Sequence, residues 1–337
     1  MIRVGIVGAT GYGGRELLRL LAMHPEVTLS AVASESSPGQ RVDEVLPAFR
    51  KITDLSFEAF DAKGLAKRCD VVFIGVPGTK SMAFGKALRE AGATVMDIGP
   101  DFRLKDAALF AKYHKATHSA PELLPESVYG LAPVHREKLR TANLVAVPGC
   151  YPISAILPLW PLLDAAKTDV PVVIDSISGI SGAGKSLNEA FHFPEMNENL
   201  KAYKLGVHQH IPEIEQELGH KALVQFTPHV APLTRGILTT ITLRPSGKLD
   251  AAALYECYRD EPFVRVLGEG VLPEVKHVRA SNFCDIGWVM DARTGNLLVV
   301  SAIDNLMGGT AGMAVQCMNI RFGLPETTGL LYGGMAP

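Results

Sequence analysis

Cys150 is the strongest candidate for covalent chemistry. It follows Val145-Ala146-Val147-Pro148-Gly149 and precedes Tyr151-Pro152. The run reads as a short apolar strand, a Pro-Gly turn and the start of a buried helix. At a helix start, unpaired N–H groups and the positive end of the helix dipole favour thiolate over thiol, and thiolate is the nucleophile. The other cysteines lack this setting. Cys317 reads as core, Cys69 and Cys257 lie on helical stretches, and Cys284 begins a strand. The acid–base candidates are His208 and His210 in His208-Gln209-His210, with Glu213 three residues on. In an extended segment, residues two apart face the same side. One histidine could then move a proton while the other holds substrate, and Glu213 could orient a histidine or hold an amide or ammonium group. The spacing also suits a metal, but no third ligand pairs with it, so no metal is expected.

A second constellation lies at the N-terminus. Ile2–Val7 is a β-branched, apolar strand, followed by Gly5-x-x-Gly8-x-x-Gly11 with Thr10, Tyr12, Gly13 and Gly14. A helical pattern over 15–23 and a second strand over 27–33 complete a β–turn–α–β unit. In this frame the glycines let the backbone approach a pyrophosphate, and the helix start offers N–H groups to it. The second strand ends at Ser34, where an NAD site usually carries an acid. A serine there leaves room for a 2′-phosphate, so the reading leans to NADP(H). Glu35, one position on, keeps NAD open.

These groups need a scaffold to place them. Strand patterns over 70–76 and 94–98 alternate with a helix over 80–91, as expected of a Rossmann-type parallel sheet. Arg103, in the loop after the second of these strands, is a candidate anion contact or an ion-pair partner of Asp101 or Asp106. Residues 107–140, rich in Pro, His and Tyr, read as an irregular excursion at the surface or a subunit contact. Beyond the Cys150 helix the pattern changes to alternating strands over 172–178, 222–231, 236–243, 284–291 and 297–304, with a hairpin turn at Thr294-Gly295-Asn296. This is an α+β catalytic domain with a mainly antiparallel sheet. The loop Gly179–Lys185 is glycine-rich but lacks P-loop spacing. A small-residue helix over 308–321 is expected to dock on the nucleotide-binding domain. The expected domains are therefore 1–149 with 308–337, and 150–307.

The chain has 337 residues, 47% hydrophobic and 20% charged, with a formal net charge of −2. That size suits two domains, and the charge argues against a broad nucleic-acid footprint. The five cysteines form no C-x-x-C pair, and no apolar run reaches membrane length. The expectation is a cytoplasmic protein with no membrane or nucleic-acid partner.

Several of these motifs carry a family resemblance. Pro148-Gly149-Cys150-Tyr151-Pro152 resembles the active-site signature of the N-acetyl-γ-glutamyl-phosphate reductases of arginine biosynthesis. Gly8-Ala9-Thr10-Gly11-Tyr12-Gly13-Gly14 resembles their nucleotide loop, and Val207–Ile214 their second catalytic motif. Residues 232–238 and Asp304-Asn305-Leu306 with Gly309 are also similar, so the match runs along essentially the whole chain. The related aspartate-semialdehyde dehydrogenases typically carry Asn where this chain has Gly149. The resemblance implies that Cys150 attacks an acyl phosphate to form a thioester, which NADPH reduces to the semialdehyde. It makes His210 the acid–base group, with His208 beside it. It places Ser178, Gly179, Glu213, Arg103 and Arg235 around substrate, and Asn305 and Gly309 near the nicotinamide. It implies a small-molecule acyl phosphate as substrate and a homodimer or homotetramer. The chain departs from the family at Ile153-Ser154, where Thr-Ala is usual, at Gly308 for Lys, and at Met313 and Cys317 for Gln and Asn. A reductase of N-acetyl-aminoadipyl phosphate, an aspartate-semialdehyde-type dehydrogenase and a non-catalytic NADPH-binding regulator are the alternatives.

Overall fold

The computed structural model describes residues 1–336. The chain forms two units, 1–148 with 310–331, and 149–309 with 332–336. Expectation put Gly149, 308, 309 and everything after 331 in the first unit. The tail instead runs along the 277–279 segment, where Met335 N–H donates to the Arg279 carbonyl at 2.8 Å and Arg279 Nη2 returns a bond to the Met335 carbonyl at 2.8 Å.

The first unit begins with β1 (Ile2–Val7), α1 (Tyr12–Ala22) and β2 (Val27–Ala33). Two short helices, α2 (Val42–Val45) and α3 (Ala62–Arg68), lead to β3 (Val71–Ile74), α4 (Ser81–Glu90) and β4 (Thr94–Asp97). Then come α5 (Ala107–His114), β5 (Val128–Tyr129), α6 (Ala132–Leu139) and β6 (Leu144–Ala146). The six strands form one all-parallel sheet in the order β2-β1-β3-β4-β6-β5. Strands covered on both faces read as continuous apolar runs, and β3 and β4 are buried at every position.

The expected surface excursion over 107–140 is corrected here. The segment supplies β5 to the sheet and buries Phe110, His118, Ala120, Tyr129 and Leu131. Its polar residues are largely exposed, but His118 and Ser127 are buried. The buried His118 Nε2 bonds the Asp101 carbonyl at 2.9 Å, and its Nδ1 accepts the Ala120 N–H at 3.1 Å.

The second unit begins with α7 (Cys150–Leu159) and α8 (Leu163–Ala166), then β7 (Val172–Gly179), α9 (Phe193–Met196), β8 (Lys201–Ala202) and α10 (Ile211–Glu217). β9 (Val224–Ala231), β10 (Ile237–Leu243), α11 (Ala251–Tyr255), β11 (Val264–Glu269), β12 (Cys284–Asp291) and β13 (Asn296–Ile303) follow. The sheet order is β11-β12-β13-β10-β7-β9-β8. Only β11–β12 and β7–β9 pair in parallel. The remaining pairs are antiparallel, as expected of an α+β unit.

The helix α7 lies on this sheet. Its Pro158 has no N–H to give to the Ser154 carbonyl, which would be orphaned in a buried helix. Ser301 Oγ, from β13, donates to that carbonyl at 2.5 Å. Strand register places Ser176, Thr239 and Ser301 directly opposite one another on β7, β10 and β13. Ser154 Oγ lies 2.7 Å from Thr239 Oγ1, which lies 2.8 Å from Ser176 Oγ. All four side chains are fully buried. The last carbonyls of α7 are satisfied by hydroxyls too: Tyr258 donates to Leu157 and Tyr255 to Pro158.

The closing helix begins with a π-turn, Met307–Ala311, and continues as α12 (Gly312–Arg321). It is buried through Ile320 and packs on α1, α6 and β4 of the first unit. Small residues on it permit that close approach.

At the end of β4, Asp97 is fully buried and accepts from Ser81 Oγ at 3.0 Å and from Gly99 N–H at 2.9 Å. Burial first, then the charge of Asp101, pushes its carboxyl up to about 7 from the ordinary 3.8. The unfolded chain releases this proton near its ordinary value while the folded chain keeps it. Stability is therefore lost as pH rises from the unfolded value through the folded one. Urea midpoints of the wild type and Asp97→Asn, measured at pH 5 and pH 8, should show the wild type losing ground to the variant at the higher pH. A constant difference between the two would refute this.

Candidate active site

Local structure delivers Cys150 as its sequence suggests. Gly149 is the extended N-cap of α7, and Cys150 is the first helical residue, half-buried. Pro152, two residues on, lacks an N–H where the helix would leave one orphaned anyway. The Gly149 N–H is taken by Glu213 Oε1 at 2.8 Å. Glu213 is itself buried, and its other oxygen lies 3.9 Å from His210 Nε2. One carboxylate therefore holds the residue before the cysteine and faces a histidine.

His208 and His210 do come together, with ring centroids 4.7 Å apart, but not along a strand. His210 is the N-cap of α10, and the turn before that helix folds His208 beside it. The His210 N–H donates to His208 Nδ1 at 3.1 Å, which makes this nitrogen the acceptor and leaves the proton of the neutral ring on Nε2. Tyr151 packs edge-on to both rings, and Phe226 to Tyr151 and His208. Tyr203 donates to the Tyr151 hydroxyl at 3.2 Å, which donates to the His229 carbonyl at 3.0 Å. Burial pushes the Tyr203 hydroxyl up to about 12 and Tyr151 higher still, so both stay neutral donors. Burial also raises the thiols of Cys69 (to about 11), Cys284 and Cys317, which suits inert core positions.

A cavity of about 420 Å³ opens onto Cys150. Its walls include Ser178, Gly179, His208 and His210 from the expected site, together with Tyr151, Asn188, Tyr203, Lys204 and Gln209, which were not foreseen as site residues. The volume suits a small organic substrate. Glu213 lies behind the histidines and is not part of the lining. Arg103, in the first unit, is buried and donates to the Val147 carbonyl at 2.8 Å and the Ile98 carbonyl at 3.0 Å. Arg235 pairs with the fully buried Asp304, Nη2 to Oδ1 at 2.9 Å. Asp304 also accepts from the N–H groups of Leu306, Met307 and Ala280, which shapes the 304–309 loop.

Asn305 and Gly309 belong to the second unit. Asn305 Oδ1 accepts the Gly236 N–H at 2.7 Å, and its Nδ2 donates to Ser181 Oγ at 2.9 Å. Gly309 packs directly on the cysteine. A Cβ there would sit 2.9 Å from Cys150 Cβ, with backbone on the other side at 3.1 Å.

In the first unit the turn from β1 into α1 fits a dinucleotide pyrophosphate. Gly8 has φ +88°, and a Cβ on it would meet the Gly75 carbonyl oxygen at 2.6 Å. A Cβ on Gly14 would meet the Gly8 carbonyl oxygen at 2.3 Å. At Gly11 nothing lies nearer than 3.8 Å, and this N-cap of α1 brings no side-chain cap. Thr10, Tyr12 and Gly13 share the same turn. Ser34 directly follows β2, with Ser36 Oγ at 3.2 Å and Ser37 Oγ 3.4 Å further along. Glu35 is turned to Lys80 at 3.9 Å. A cluster of hydroxyls suits a ribose phosphate better than a bare diol. Among the described residues no group of three or more His, Cys, Asp or Glu is placed to hold a metal ion, and no helix is long and apolar enough to cross a membrane.

Residues 3–142 match the semialdehyde dehydrogenase, NAD binding domain family, and residues 150–305 the semialdehyde dehydrogenase, dimerisation domain family. The chain is 49% identical over the full length of both proteins to the N-acetyl-gamma-glutamyl-phosphate reductase of Desulforudis audaxviator. It is 48% identical to that of Citrifermentans bemidjiense, over 98% of each chain. The chain belongs to the N-acetyl-gamma-glutamyl-phosphate reductase family. Among solved structures, aspartate semialdehyde dehydrogenase II of Vibrio cholerae superposes with a TM-score of 0.73 at 17% identity, over 96% of this chain and 98% of that one. The Candida albicans aspartate semialdehyde dehydrogenase with NADP also gives 0.73 at 17%, over 95% and 98%. At those identities the reductase shares a fold with them.

The contact at Gly309 generates a test. In Gly309→Ala the added methyl must displace Cys150, and a misplacement of about 1 Å can reduce rate roughly 10²-fold. Turnover should fall by about that factor while thermal unfolding still shows a cooperative transition. Unchanged kcat would mean that the 304–309 loop does not set the cysteine's position.

Proposed function

We propose that this reductase converts N-acetyl-γ-glutamyl phosphate to N-acetyl-glutamate semialdehyde and phosphate at Cys150, using NADPH, in arginine biosynthesis. The observation that carries the reading is the shared cavity of Cys150, His208 and His210, with Glu213 fixing both the cysteine turn and His210 from behind.

The thiol of Cys150 gives its proton to His210 and attacks the acyl carbonyl. The tetrahedral adduct expels phosphate, which takes that proton from His210, and a thioester remains on Cys150. NADPH, when bound to the turn at Gly8–Gly13 with its 2′-phosphate at Ser34, supplies the hydride for the reduction of the thioester. The resulting thiohemiacetal oxyanion collapses to the aldehyde and expels the Cys150 thiolate. A proton from solvent, passed through His210, restores the thiol. A covalent nucleophile divides one difficult displacement into two easier steps. Ser178 and Gly179 line the cavity as substrate contacts. Arg235, through Asp304, positions the loop that carries Gly309, and Arg103 ties down the strand that delivers Pro148. The assembly is a homodimer or homotetramer in the cytoplasm, where free thiols such as these persist.

The defining assay runs in reverse: phosphate-dependent reduction of NADP by N-acetyl-glutamate semialdehyde. Its absence in the purified wild type would sink the proposal. Cys150→Ser should abolish turnover with NADPH affinity unchanged. His210→Asn should slow kcat by about 10²–10⁴-fold, the usual worth of a placed acid–base group. His208→Asn should raise the substrate KM more than it lowers kcat, and the opposite pattern would exchange the two histidine roles.

A further inference from the structure

We infer that Lys204 anchors the substrate's α-carboxylate and thereby selects the N-acylated amino-acid chain; the inference rests on the reaction proposed above. The cavity lining carries one side chain with a fixed positive charge, Lys204, and no Asp or Glu. The two arginines expected around substrate are not in the lining: Arg235 pairs with Asp304 and Arg103 donates to backbone carbonyls. Lys204 Nζ is given a neutral acceptor, Gln209 Oε1, at 3.0 Å. That bond orders the ammonium without neutralising it.

The same bond orients Gln209. With its oxygen taken by the ammonium, its NH₂ group is the end left for a ligand. Asn188 is held alike: its Oδ1 accepts the Ala190 N–H at 3.0 Å, so its amide also presents N–H. This part of the cavity is thus a set of donors built around one cation. The substrate offers complementary groups at the end remote from the acyl phosphate, a carboxylate and an acetamido carbonyl, both acceptors. A free α-ammonium would meet only donors and a like charge.

Position separates the two anionic ends of the substrate. The inner wall, Tyr151 and His208, is buried beside Cys150, whereas Lys204 is exposed at the rim. The phosphate is bonded to the carbon that Cys150 attacks and stays at the inner wall. The α-carboxylate lies four bonds further along the chain. The backbone fixes the lysine's direction: Lys204 has φ +48°, a left-handed setting uncommon for a residue with a side chain, and its carbonyl accepts the Val207 N–H at 3.2 Å.

The reverse assay tests this, because there phosphate and the carboxylate-bearing aldehyde are separate substrates. Lys204→Met should raise the KM for N-acetyl-glutamate semialdehyde roughly 10- to 100-fold, the range for a charge-assisted hydrogen bond. The KM for phosphate and kcat should stay within about twofold, and Lys204→Arg should recover much of the loss. With 4-acetamidobutanal, which lacks the carboxylate, wild type and Lys204→Met should have equal kcat/KM. A rise in phosphate KM with aldehyde KM unchanged would move Lys204 to the phosphate and overturn the inference. So would unaltered kinetics, or a difference that persists with 4-acetamidobutanal. Inactivity of the wild type would instead refute the underlying reaction.

Discussion

The hydrogen bond from the Gly149 N–H to Glu213 joins two segments sixty-four residues apart, and the site is assembled around it. One segment ends a strand and starts α7; the other is the first turn of α10. The carboxylate of a third-position glutamate commonly returns to its own helix's N-cap. Here it reaches another helix instead, and the N-cap position is given to a catalytic candidate, His210. A buried carboxylate with an N–H on one oxygen and an imidazole near the other has little freedom to drift. Cysteine, histidine pair and cavity wall therefore share one reference point. The cavity lies in front of that point, and the glutamate supports it from behind.

What could be read from the chain depended on how local each signal was. Cys150 at a helix start and the glycines after β1 are encoded within about fifteen residues, and both settings are found as expected. The histidines were paired through an assumed strand, yet a turn into α10 unites them, because Pro212 and Glu213 favour a helix start there. The 107–140 segment misled because its many exposed polar residues hid the apolar ones, such as Phe110, Tyr129 and Leu131, that it buries. Its histidine and backbone groups satisfy one another inside the fold. Arg103 was expected at an anion from its loop after a strand, and Arg235 from the family resemblance; in the structure Arg103 donates to carbonyls and Arg235 pairs with Asp304. The donor set of Lys204, Gln209 and Asn188 was out of reach, since it depends on where two loops meet.

The departure at Ile153-Ser154 has a structural reading. Ile153 is core, and Ser154 joins Thr239 and Ser176 in a buried hydroxyl row. Nothing in the sequence announces that row, because it exists only once three distant strands settle into register. The same register brings Ser301 to the carbonyl that Pro158 leaves without a helical partner.

That arrangement bears on how a nucleophile can be held steady. A helix seated on a sheet by greasy contacts alone can roll about its axis or creep along it by a fraction of a turn, since one methyl replaces another at small penalty. The hydroxyl studs beneath α7 forbid both motions, as any roll would strand a buried oxygen. The proline that looks like a flaw near the end of this helix works as its keyway, and the sulfur about one turn before Ser154 inherits the rigidity of the whole sheet.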